Sequence, residues 1–206
     1  TGRTADAENQ YKKAMASKSD NAETREKYIA FLMSHGRTAD ANQARLDRLK
    51  VKSLNTIFDY HYELYEAYVQ QKRIDDAIKV LDNARNLFKS DFDTLQRIAD
   101  AYMVHGRSSK ALEIYTTQVK NHPNDINAIE AMGDYYDIQG LRQLALDTWK
   151  KIENVSMDKT TKLETLARIY DEHGYADESM ALYAKVVKDN PRDCQLLRSY
   201  AEVLSR

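Results

Sequence analysis

Gly2 and Gly36 lie 34 residues apart, and Gly106, Gly140 and Gly174 follow one another at the same 34-residue interval. The missing rung, Lys72, falls 34 residues before Gly106 but 36 after Gly36, so two extra residues enter between Arg48 and Phe58. Further columns keep the same period: Tyr68, Tyr102, Tyr136 and Tyr170; and Ala7, Ala41, Ala77, Ala111, Ala145 and Ser179, the last six each five residues after the turn column. Pro123 and Pro191 are two periods apart. A repeat of this length describes a unit that cannot bury its apolar face alone and gains a core by stacking on its neighbours. It has room for two helices of about 14 residues and two short turns.

The apolar spacing agrees with helices. Leu95, Ile98, Ala99 and Tyr102 follow the i, i+3, i+4, i+7 rule. The next segment places Ala111, Leu112, Ile114, Tyr115 and Val119 on one side before Pro123 stops it. Between two such segments a glycine can take the left-handed conformation that ends one helix and reverses the chain. The small residues of the alanine column let antiparallel helices approach, with an aromatic from the neighbour filling the space above. The repeated string GRTADA, at residues 2–7 and 36–41, is therefore a turn followed by the start of a second helix. At 42% hydrophobic and 31% charged, a chain of 206 residues with only two prolines supports a core of helices.

These columns resemble the tetratricopeptide repeat, whose first helix carries a large residue, Leu, a small residue and Tyr, and whose second carries Ala, an aromatic and a final Pro. Leu95, Ile98, Ala99, Tyr102, Ala111, Tyr115 and Pro123 fit it, as do Ile129, Met132, Gly133, Tyr136, Ala145 and Trp149, and then Leu163, Leu166, Ala167, Tyr170, Ser179, Tyr183 and Pro191. The fit loosens over His61, Leu64, Tyr65, Tyr68, Ala77, Leu81 and Ala84, and again over Tyr28, Leu32 and Ala41, where Arg45 replaces an aromatic. The resemblance implies an all-α, right-handed α-solenoid, a superhelix of antiparallel helix pairs with about twelve helices. The phase frames one array over residues 1–206: a second helix in 1–20, an irregular repeat in 22–55, repeats at 58–91, 92–125, 126–159 and 160–193, and a first helix in 194–206. Residues 45–58 are expected to form an irregular joint. A start on Thr and an end on a lone first helix suggest a segment of a longer protein.

Few residues suggest chemistry. Lys and Arg number 31 against 32 Asp and Glu, which offers no bulk positive field for nucleic acid. The single cysteine, Cys194, excludes an internal disulfide framework and reads as structural; it favours a cytoplasmic location, with the periplasm as the alternative if the parent carries a signal peptide. His35, His105 and His173 share one column just before the turn glycine, but helices two repeats apart are about 20 Å apart, too far to share a metal. They read instead as last-turn histidines near helix carbonyls. His61 and His122 have no ligand-spaced partner, no phosphate-loop motif occurs, and Asn154-Val-Ser is a formal glycosylation acceptor that matters only if the chain is secreted. No catalytic residue, cofactor or metal site is expected, and neither is a membrane-inserting segment.

In arrays of this resemblance the first helices line the concave surface. Their outward faces carry Asp59, Glu63, Glu66, Asp93, Asp100, Glu130, Asp134, Asp137, Glu164 and Asp171 against Arg97 and Arg168, ten acids to two bases. Val69, Met103, Val104 and Ile138 add apolar contacts. The expected function is a non-enzymatic protein-interaction module whose acidic groove takes a basic or amphipathic protein or peptide partner. The same charges speak against nucleic acid and against the carboxylate clamp that holds acidic chaperone tails. Alternatives are a spacer or assembly scaffold in a bacterial secretion or exopolysaccharide-export machine, or a substrate-docking arm of a larger enzyme.

Overall fold

The computed structural model describes residues 2–17 and 21–205. Among them are twelve α-helices and no strand: α1 (Gly2–Met15), α2 (Ala22–Ser34), α3 (Thr38–Leu49), α4 (Phe58–Gln70), α5 (Ile74–Leu87), α6 (Phe92–Val104), α7 (Ser108–Asn121), α8 (Ile126–Ile138), α9 (Arg142–Trp149), α10 (Lys159–Glu172), α11 (Ala176–Asp189) and α12 (Cys194–Leu204). They gather into two compact units, one ending at His105 and the other starting at Gly106. In the first unit α2 pairs with α3 and α4 with α5; in the second α8 pairs with α9 and α10 with α11. The chain is an all-α helical repeat.

Each helix pair is made by the same reversal. Tyr175 N–H donates to Tyr170 O at 2.7 Å and Gly174 N–H to Asp171 O at 3.0 Å, closing the end of α10 with a left-handed residue, Gly174 at φ 77°. This is the Schellman arrangement, and it satisfies carbonyls that a helix end leaves bare. Leu141 to Tyr136, Arg73 to Tyr68 and Arg37 to Leu32 repeat the long bond at 2.9 Å each. Lys72 occupies the turn position with φ 58°, the one non-glycine residue at positive φ among the described residues. Entry into first helices is signalled differently, by side chains: Asn21, Asp91, Asp125, Asp158 and Asp193 each accept a hydrogen bond from a backbone N–H of the first turn.

The small column performs the expected packing. Ala41, Ala77, Ala111, Ala145 and Ser179 are all completely buried, and the Ser179 hydroxyl donates to Ala167 O at 2.8 Å. In the second unit the core centres on Trp149, fully buried among Ile129, Ala145, Ile152, Val155, Leu166, Ile169, Tyr170 and Tyr175. Gly133 sits directly beneath the indole, so that even one methyl group there would overlap it. In the first unit Tyr28, Ile29, Leu32 and Ala41 form a core with Tyr11, Met15, Phe31 and Ala44 packed around it.

Four local expectations are corrected. The second helix expected over 1–20 ends at Met15, and residues 18–20 lie outside those described. Helix α9 stops at Trp149 and continues as a 3-10 segment, Lys150–Asn154; the tighter turn buries Ile152 and Val155, and Lys162 Nζ holds the Glu153 carbonyl at 2.8 Å. In α8 the deeply buried tyrosine is Tyr135, its ring tilted against Tyr115, while Tyr136 of the periodic column is half-buried. Cys194 is exposed, because it precedes the first inward-facing residue of α12, Leu196.

Two outcomes follow for urea unfolding. Gly133→Ala should lower stability by about 1 to 3 kcal/mol through overlap with Trp149. Lys72→Gly should raise it by about 1 kcal/mol by removing left-handed strain, and no gain would mean that the Lys72 conformation is unstrained.

Candidate functional site

The sequence-selected residues fall on the first helices of each unit: α4 and α6 in one, α8 and α10 in the other. Asp59, Glu66, Asp93, Arg97, Asp100 and Arg168 are exposed; Glu63, Met103, Glu130, Asp134, Asp137, Glu164 and Asp171 are half-buried. Many of the carboxylates are engaged within their own unit.

In the first unit Arg97 Nη1 reaches Asp59 at 3.2 Å while its guanidinium lies over Phe58 and Tyr62, 4.7 and 4.6 Å from the ring centres. Glu63 receives two arginines from α3, Arg45 Nε at 2.8 Å and Arg48 Nη2. Burial alone would raise the Glu63 carboxyl, but the hydrogen bonds from Arg48 and Arg45 overcome it and hold the group below its ordinary value. Arg48 is completely buried, its guanidinium 3.8 Å from the centre of the Tyr60 ring, and its Nε and Nη1 have no hydrogen-bond acceptor among the described residues. The face of Tyr60 takes that place. Arg45, which stands where an aromatic is expected, is thus part of a polar joint in the irregular stretch. Glu66 and Asp93 form no ion pair among the described residues.

In the second unit Arg168 Nη2 contacts both oxygens of Glu130 at 3.2 Å, and its Nη1 meets Glu172. Asp59–Arg97 and Glu130–Arg168 are each 38 residues apart, so one inter-helix register recurs in both units. Asp134 accepts from Trp149 Nε1 at 3.2 Å and lies 3.2 Å from His173 Nε2. Asp137 accepts from His173 Nδ1 at 3.0 Å and from the Tyr175 hydroxyl. Burial chiefly, opposed by His173 and aided by the charges of Glu130 and Asp137, pushes the Asp134 carboxyl up to about 6. Burial and then the bond to Asp137 push the Tyr175 phenol up to about 12, which keeps it a donor. Glu164 forms no ion pair among the described residues.

The acid count on these faces therefore overstates their free charge. Long cationic side chains from other helices, Arg45 and Arg48 above all, cancel part of it, and the sequence signal was available in Arg45 breaking the aromatic column. The histidine column divides by environment: His35 Nδ1 meets Phe31 O at 2.8 Å, His105 Nε2 meets the Tyr65 hydroxyl at 2.9 Å, and His173 joins two carboxylates. Among the described residues no three His, Cys, Asp or Glu side chains gather as a metal would require. No helix among them is long and apolar enough to cross a membrane.

Comparison with protein-family models matches residues 68–134 to the tetratricopeptide repeat. Over that stretch the sequence is similar to tetratricopeptide repeats. Such repeats generally serve as protein–protein interaction modules. No curated protein matches the sequence. Among solved structures, a tetratricopeptide repeat protein from Parabacteroides merdae is 20% identical, covering 88% of this chain and 71% of that one, with a TM-score of 0.49. A thermophilic tetratricopeptide protein from Thermus thermophilus is 19% identical over 89% and 99% of the two chains, at 0.46. MamA from Desulfovibrio magneticus is 15% identical over 86% and 99%, at 0.47. At these scores the likenesses carry no functional argument.

The buried Arg48 gives a stability test. Glu63→Ala removes the carboxylate of a fully buried guanidinium and should cost on the order of 3 kcal/mol in chemical unfolding. Adding Arg48→Met should recover part of that loss; no recovery would mean that Arg48 is not the group left stranded.

Proposed function

We propose that the first-helix faces bind a basic, amphipathic segment of a partner protein, and that the module acts by binding rather than by catalysis. The observation that carries this reading is the recurring 38-residue register. Where that position holds arginine, the acid is neutralised internally, as in Asp59–Arg97 and Glu130–Arg168. Counting the same interval from Glu66 reaches Val104, and from Glu164 it reaches Glu202. Neither can pair with a carboxylate, and both acids lack an ion pair among the described residues. Val104 is 77% exposed in the first unit and Ile138 70% exposed in the second, so each unit offers an apolar side chain as well as an unneutralised acid. A lysine- or arginine-bearing segment with interspersed apolar residues complements both features, with charge acting mainly on association rate. Nucleic acid and acidic carboxylate tails meet charges of their own sign on these faces.

A synthetic lysine–leucine amphipathic peptide tests the reading, with a glutamate–leucine peptide of the same pattern as its counterpart. Binding should be selective for the first, weaken as salt is raised, and fall in the Glu66→Lys, Glu164→Lys variant at unchanged helicity. Equal binding of both peptides, or an unaffected variant, would overturn it.

A further inference from the structure

Two carboxylates of α8 converge on the imidazole of His173, the residue that caps the end of α10. His173 Nδ1 is 3.0 Å from Asp137 Oδ2, and Nε2 is 3.2 Å from Asp134 Oδ1. A neutral imidazole has one N–H, so one ring nitrogen would direct a lone pair at an anionic oxygen. One further proton removes the conflict. On the ring it gives two donors; on Asp134 it gives an O–H facing the bare nitrogen. We propose that Asp134, Asp137 and His173 form a proton-operated latch between α8 and α10, closed while that additional proton is held and released as rising pH removes it.

The imidazole lies against the Trp149 indole, ring centres 4.6 Å apart. On α8, Glu130 adds negative charge beside Asp134, although it is shared with Arg168 of α10. The remaining polar neighbours are already committed: Trp149 of α9 donates to Asp134, Tyr175 donates to Asp137, Arg142 of α9 lies over the Tyr175 ring and pairs with Glu178 of α11, and Glu172 of α10 pairs with Arg168. The rise of Asp134 to about 6 from an ordinary 3.8 agrees in sign. A carboxyl raised on folding binds its proton more firmly in the native chain, so its contribution is complete below the ordinary value and is lost as pH climbs through about 6. The latch acts on the spacing of two first helices that carry Glu130 and Glu164, and it stands on this geometry alone, independently of what those faces bind.

Trp149 is the only tryptophan in the chain and touches the latch directly, which makes its fluorescence the readout. Protonated imidazole quenches indole emission. In the full chain, emission should rise in one step as pH is raised between about 5 and 8, at constant far-UV dichroism. The step should vanish in His173→Gln, move to lower pH in Asp134→Asn, and remain in His105→Gln. Its survival in His173→Gln, or its absence from the unsubstituted chain together with a coupling that does not change with pH, overturns the proposal. Thermal midpoints of the single and double variants supply the second measurement. The coupling between Asp134 and His173 should be present near about pH 5.5 and lost near about pH 8. Coupling that does not change with pH leaves an ordinary hydrogen bond and refutes the latch, and Asp137→Asn provides the same cycle should His173→Gln fail to fold.

Discussion

A left-handed residue after each of α2, α4, α6, α8 and α10 governs how the helices pair. It turns the chain so that the next N–H can bond back to the carbonyl five positions earlier, as Tyr175 does to Tyr170, and it sets the start of the second helix one residue later. The small residue five positions on then falls where the two helices come closest, which is why Ala77, Ala145 and Ser179 are completely buried. Glycine meets the turn's demand without strain; Lys72 meets it at a cost, and the Arg73–Tyr68 bond of 2.9 Å shows the geometry preserved.

Because the turn and the small column are both properties of spacing, the pairing of helices could be read from the sequence with little error. What escaped was anything decided by reach. An arginine extends far enough to join a neighbouring helix, so Arg45 and Arg48 of α3 could neutralise Glu63 of α4 without belonging to its face. Periodicity assigns a residue to a column but does not choose between adjacent side chains of similar size, and Tyr135 rather than Tyr136 became the deeper one in α8. The shortening of α9 arose from the same kind of competition, since the 3-10 turn brings Ile152 and Val155 into the Trp149 core. Helix entry was legible in principle, through the Asp caps at 91, 125, 158 and 193, but an acidic cap and an acidic face look alike until the backbone N–H it accepts from is known.

The irregular stretch shows how a departure from the period is absorbed. Two added residues and a missing aromatic mark this stretch, and between α3 and α4 a guanidinium is buried against Tyr60 and Glu63. Such an ion pair gives little net stability over an apolar core of the same shape. Arg48 has no solvent access and a single carboxylate partner, so loss of Glu63 would strand a buried charge.

The same logic separates structure from function elsewhere in the chain. A repeat dictates position, and three histidines at one position of the repeat acquire a carbonyl, a phenol and a pair of carboxylates as partners. Acids behave likewise: Asp59 and Glu130 meet an arginine 38 residues further along the chain, whereas that interval reaches valine from Glu66 and a second acid from Glu164. The positions that keep the repeat therefore specify how the helices stack. The occupant of a repeated position changes at Glu66, at Glu164 and at the His173 cluster, and these are the places that the two proposals use.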